Sequence, residues 1–195
     1  MKDVIFFDIN TQYDFMHKDG KLYVPEAEKI IPNLQKITLF ANKSKVSIVA
    51  TIDLQKTKLE IPPNFMANGY KKIPETKLPN NKAIPNKKLN NEQLKNLLEK
   101  YDIFRIFKQK LDVFSNPNTK KLLNNVKRAY VYGVATDYCV KAAVLGLREM
   151  GVETYVIKDA IKPVFKKNEK KYLSLFRKKG AKFLTTSELL KKKNL

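Results

Sequence analysis

The sequence predicts an α/β fold built around a mostly parallel sheet, and three observations predict it. Short β-branched or aromatic runs alternate with helix-length segments along the whole chain, the pattern of repeated βαβ units. The helical segments carry their own start and stop signals. The chain has 195 residues, 43% of them hydrophobic, enough to bury one full core. One domain over 1–195 is therefore expected.

The elements follow in order. Candidate strands are 3–9, 46–52, 102–107, 128–133, 153–157 and 181–184; candidate helices are 26–42, 91–99, 118–126, 137–150, 167–179 and 187–193. Pro25 precedes the first helix, Gly151 follows Met150 as a C-terminal cap, and Gly180 closes the helix before Ala181. The run Arg128-Ala129-Tyr130-Val131-Tyr132-Gly133 is apolar enough to lie centrally. The arrangement implied is a three-layer, Rossmann-like fold, with a central six-stranded sheet flanked by helices. One stretch resists the alternation: residues 54–90 carry Pro62, Pro63, Pro74, Pro79 and Pro85 among lysines and asparagines. A connection of that length is read as an irregular loop region, framing a site or inserted flexibly.

Composition narrows the function classes. No apolar run is long enough to cross a bilayer, and the start of the chain lacks the pattern of a signal peptide. A single cysteine, Cys139, forms no internal disulfide, so a reducing, cytoplasmic setting is expected. The formal net charge is +20. Such a charge suits either freely solvated lysine-rich surfaces or a polyanionic partner. The lysines are spread, with short runs only at Lys166-Lys167, Lys170-Lys171 and Lys191-Lys192-Lys193. No RNA-binding aromatic signature, zinc finger or recognition helix accompanies them, so no specific nucleic-acid partner is expected.

In parallel sheets ligands bind beyond the carboxyl ends of the strands. That rule selects Asp8–Asn10, Asp53, Lys108 and Gly133–Cys139, polar groups from four separate places in the chain. Cys139 stands between a central strand and an amphipathic helix. There the helix dipole lowers a thiol pKa, and the backbone N–H groups of the turn form an oxyanion hole. The bland reading is a buried cysteine packed as a small hydrophobe. The one histidine, His17, lies in a loop-like stretch, so the partners expected for a thiol are a carboxylate ending the first strand and Lys108. On composition alone Lys108 reads better as an ordinary surface lysine.

Three stretches then match a known pattern: Phe7-Asp8-Ile9-Asn10-Thr11-Gln12-Tyr13-Asp14-Phe15-Met16, continuing to Pro25; Phe107-Lys108-Gln109-Lys110-Leu111-Asp112-Val113-Phe114-Ser115-Asn116; and Gly133-Val134-Ala135-Thr136-Asp137-Tyr138-Cys139-Val140. In order and spacing the chain resembles the isochorismatase-like cysteine hydrolases, a group that includes nicotinamidases. The resemblance implies an Asp-Lys-Cys triad, a non-proline cis peptide at Val134–Ala135 and an oxyanion hole from the N–H groups of Ala135 and Cys139. It also implies a thioester route to cleaving C–N bonds of small-molecule substrates, and association into homo-oligomers.

Two departures matter. The family's catalytic aspartate falls four residues before Asp14, where this chain has Asn10, which cannot act as a carboxylate base. Asp8, two residues earlier, is the substitute base, provided a bulge or register shift brings it forward by roughly 6–7 Å. The nicotinamidases of the family also bind a zinc-like ion through an aspartate and histidines. Asp53 matches the aspartate, while Gln55 and Asn64 stand at the other positions, so no transition metal and no cofactor is expected. Two readings follow: a metal-independent cysteine hydrolase using Cys139, Lys108 and Asp8, or a catalytically silent relative serving as a binding or assembly protein.

Overall fold

A computed structural model describes residues 2–54, 68–192 and 195. Its centre is one seven-stranded sheet, of β1 (Val4–Ile9), β2 (Ser47–Asp53), β3 (Lys82–Ile84), β4 (Ile103–Lys108), β5 (Arg128–Val134), β6 (Glu153–Lys162) and β7 (Lys182–Leu184). The order is β3-β4-β2-β1-β5-β6-β7, and every pairing is parallel. All six expected strands form. The seventh, β3, lies inside the proline-rich stretch and pairs with the edge of β4. Three residues, Lys-Ala-Ile, are too few to show a strand period, and only pairing with β4 makes them one. The same stretch holds short 3₁₀ turns at Asn68–Tyr70 and Pro74–Thr76, while residues 55–67 lie outside the described part.

The helices are α1 (Tyr13–Met16), α2 (Ile31–Lys43), α3 (Asn91–Lys100), α4 (Thr119–Leu122), α5 (Lys141–Glu149), α6 (Glu169–Lys178) and α7 (Thr186–Leu190). Capping boxes start two of them: Asn90 with Gln93 on α3, and Thr185 with Glu188 on α7. The segment expected as a helix over 118–126 is helical only at Thr119–Leu122. The one expected over 137–150 opens as a wide turn, Thr136–Val140, in which Val140 N–H reaches Ala135 O at 3.1 Å, before α5 begins.

Strand alternation divides the core in two. Ile5, Phe7 and Ile9 of β1 face Leu94 of α3, Val144 and Leu147 of α5 and Phe176 of α6. Phe6 faces the other way, with Leu34 and Ile37 of α2 and Leu189 of α7. This is the three-layer arrangement expected, since strands buried on both faces must be apolar at nearly every position. Among the described residues no helix is long and apolar enough to cross a membrane.

β5 lies close against β1 at Gly133, which is paired with Ile9 and held at a φ of +108°. A Cβ there would collide with the Ile9 carbonyl. Gly133→Ala combines a disallowed backbone with overpacking between central strands, and is expected to cost about 2–5 kcal/mol. Denaturant unfolding measures this; a loss below about 1 kcal/mol would contradict the close approach.

Candidate active site

The site lies where β2, β4 and β5 end. Alternation puts Val49, Thr51 and Asp53 of β2 on one face, and Phe104, Ile106 and Lys108 of β4 on the same face. Asp53 and Lys108 are direct register partners on these neighbouring strands. Their side chains therefore meet: Lys108 Nζ donates to Asp53 Oδ2 in a buried ion pair. The same ammonium donates to Lys110 O at 3.0 Å and lies 3.5 Å from Cys139 Sγ. Three contacts match its three protons. The sulfur is itself 3.9 Å from Asp53 Oδ2, so carboxylate, ammonium and thiol form a closed triangle.

Cys139 reaches this point through the chain reversal after β5. The Val134–Ala135 peptide is cis, and the wide turn Thr136–Val140 follows. Asp137 anchors the turn by accepting the N–H groups of Val164 and Phe165 at 2.9 and 3.0 Å, just beyond β6. The thiol is 5% exposed and forms part of the floor of a cavity of about 860 Å³. Phe15, Leu22, Tyr23, Leu111, Tyr138 and Val164 give that cavity mainly apolar walls. Ala135 and Asn10 also border it.

The sequence leads one to expect a thiol with a lowered pKa. The structure corrects this: burial pushes the Cys139 pKa up, the neighbouring Lys108 opposes that, and the Asp53 charge adds to the rise. Burial thus favours the neutral thiol over the thiolate at this position.

Asp8, the base expected from sequence, does not reach the thiol. It shares the face of Phe6, opposite Ile5, Phe7 and Ile9, where Lys72 Nζ donates to its Oδ2 at 2.5 Å and Thr11 Oγ1 to its Oδ1 at 2.8 Å. No bulge brings it forward. β1 ends at Ile9, and Asn10 turns out of the strand with a φ of +50°. That turn delivers Asn10 to the cavity that Cys139 also lines. Thr51 Oγ1 donates to Asn10 Oδ1 at 2.6 Å and accepts from Asn10 N at 3.0 Å, which fixes the amide.

Two positioning groups are not evident from residue type alone. Gln12 clamps the end of β2, accepting Asp53 N–H at 2.7 Å and donating to Asp53 O at 3.1 Å. Asp137 holds the thiol turn as described. Both sit inside the motif stretches, but their roles depend on strands far off in sequence.

Of the three positions compared with a zinc-like site, only Asp53 lies among the described residues. The Asp53 carboxylate is already taken up by an ammonium, Gln55 and Asn64 lie outside the described residues, and His17 stacks on Tyr13 with ring centroids 4.4 Å apart. Among the described residues no three His, Cys, Asp or Glu side chains converge as a metal-ligand group.

A parallel α/β sheet with a thiol, a buried lysine and a carboxylate at its strand ends defines the class of protein. The sequence model for the isochorismatase domain matches residues 4–188, and the chain belongs to that family. The fold is similar to the pyrazinamidase of Pyrococcus horikoshii solved in complex with zinc, at 25% identity and a TM-score of 0.73, over 94% of this chain and 99% of that one. It is also similar to an isochorismatase family protein from Desulfovibrio vulgaris subsp. vulgaris str. Hildenborough, at 12% identity and a TM-score of 0.76, over 97% of each chain. A third likeness is to the nicotinamidase of Staphylococcus aureus, at 17% identity and a TM-score of 0.69, over 94% of this chain and 99% of that one. A comparison with curated protein sequences returned no significant match.

Two outcomes are expected from this geometry. Asp8→Asn strands the buried Lys72 ammonium and is expected to cost about 3–5 kcal/mol of stability, read by chemical denaturation. Alkylation of Cys139 by iodoacetamide, followed across pH, is expected to rise with a midpoint above that of free cysteine, because burial disfavours thiolate. A midpoint below the free-thiol value would show that Lys108 outweighs burial.

Proposed function

We propose that the chain is a cysteine hydrolase that cleaves the C–N bond of a small, largely apolar amide through a thioester on Cys139, without a metal ion. The observation that carries this reading is the Cys139 sulfur, 3.5 Å from a fully buried ammonium at the floor of a mainly apolar cavity. The family membership supports it, as does the reducing setting expected for a lone free thiol.

The chemistry runs in two halves. The sulfur attacks the amide carbonyl carbon and loses its proton, and the carbonyl oxygen takes up the negative charge. Backbone N–H groups of Ala135 and Cys139, both at the cavity, stabilise that oxyanion. Lys108 offsets negative charge passing through the sulfur. The tetrahedral species collapses, the C–N bond breaks, and the nitrogen leaves as ammonia or an amine after gaining a proton. Water then attacks the thioester, giving the carboxylic acid and restoring the thiol.

A panel of primary aromatic and aliphatic amides, assayed for ammonia release, tests this. Cys139→Ala is expected to lower kcat by about 10³-fold or more. Acid-quenched wild-type protein is expected to show an acyl adduct on Cys139 by mass spectrometry, discharged by hydroxylamine. Ammonia release undiminished in Cys139→Ala, or turnover with no adduct, would overturn the thioester route.

A further inference from the structure

We infer that Asp53, at the end of β2, is the carboxylate that receives the Cys139 proton, so that a position the family's nicotinamidases give to a metal here serves the thiol instead. The inference rests on the cysteine-hydrolase reading and assigns a residue that reading leaves open.

Four observations lead to it. A buried neutral thiol needs a base in reach, and the sulfur lies 3.9 Å from Asp53 Oδ2. Asp8, the alternative, is committed to Lys72 and Thr11 on the opposite face of the sheet. Asp112, the other carboxylate bordering the cavity among the described residues, accepts Phe114 N–H at 2.9 Å as a turn cap. Asn10, in the place of the family's aspartate, borders the same cavity but carries an amide, which has no charge and cannot take up the proton.

The arrangement also explains how Asp53 is poised. Gln12 holds the Asp53 backbone through both its amide atoms, and Lys108 holds the carboxylate through a charge-assisted bond. A divalent ion at the same oxygens would compete with the Lys108 ammonium for them.

Protons balance throughout. On attack the S–H proton passes to Asp53 as the S–C bond forms. On collapse the Asp53 carboxyl returns that proton to the departing nitrogen as the C–N bond breaks. In deacylation the Asp53 carboxylate takes a proton from the attacking water, and this proton goes back to sulfur as the S–C bond breaks. The full cycle uses one carboxylate as proton carrier and consumes one water, in deacylation.

Asp53→Asn separates this role from a merely structural one, because two readouts move in opposite directions. Removing the anion relieves the repulsion that disfavours thiolate, so alkylation of Cys139 at pH 7 is expected to quicken several-fold. Amide turnover is expected to fall at least 100-fold, with the acyl adduct persisting because water is no longer deprotonated. The double variant Asn10→Asp/Asp53→Asn returns a carboxylate to the sulfur and is expected to regain at least a tenth of wild-type turnover. Calorimetric titration of wild-type protein with zinc is expected to show no stoichiometric binding that depends on Asp53.

A folded Asp53→Asn protein with wild-type turnover, or zinc binding at one equivalent that Asp53→Asn abolishes, would overturn the assignment. Should Asp53→Asn fail to fold, Asp53→Glu carries the test: deacylation slowed tenfold or more supports the role, and unchanged deacylation removes it. The alkylation readout needs no substrate. Unaltered alkylation in Asp53→Asn therefore sinks Asp53 even if no amide is turned over, whereas loss of the hydrolase reading would show in Cys139→Ala.

Discussion

Taking an ammonium group out of water costs several kcal/mol unless neighbours replace its hydration. Lys108 is wholly buried, and everything around the thiol is arranged to meet that demand. Asp53 supplies the opposite charge, the Lys110 carbonyl a second acceptor, and the Cys139 sulfur the third contact. The pair can exist only because β2 and β4 are adjacent and in a register that sets Asp53 beside Lys108. The same ammonium that needs these partners lowers the cost of ionising the sulfur beside it. Packing, topology and reactivity thus meet in one cation.

Much of this was legible in the sequence. Alternating apolar runs and helix signals were enough for the layered sheet, and the rule about strand ends singled out Asp53, Lys108 and Cys139 together. The adjacency of β2 and β4 was not legible, because they lie some fifty residues apart and no local pattern says which strands pair. Without it, Asp53 reads as a metal-site remnant and not as a partner of Lys108. β3 was hidden for a similar reason: a three-residue strand between prolines has no periodicity of its own.

The misplacement of Asp8 has a sharper cause. Treating Asn10 as a continuation of β1 makes Asp8 and Asn10 share a face. The left-handed backbone at Asn10 breaks that alternation, so Asn10 borders the cavity that holds the thiol while Asp8 stays behind the sheet. Lys72, which neutralises Asp8, is 64 residues away and could not be foreseen as its partner. Asparagine is among the few residues that adopt this conformation readily, which was the available clue.

The Asp8–Lys72 pair has a consequence for assembly of the sheet. β1 is central and apolar at nearly every position, and a run such as Val-Ile-Phe-Phe would tolerate a slip of one residue with little loss of apolar contact. Asp8 forbids it. A slip would drive the carboxylate into the apolar layer of Leu147 and Phe176, and leave Lys72 facing a hydrocarbon. The ion pair thus acts as an alignment key for the middle of the fold, ruling out the neighbouring arrangement whatever it adds to stability.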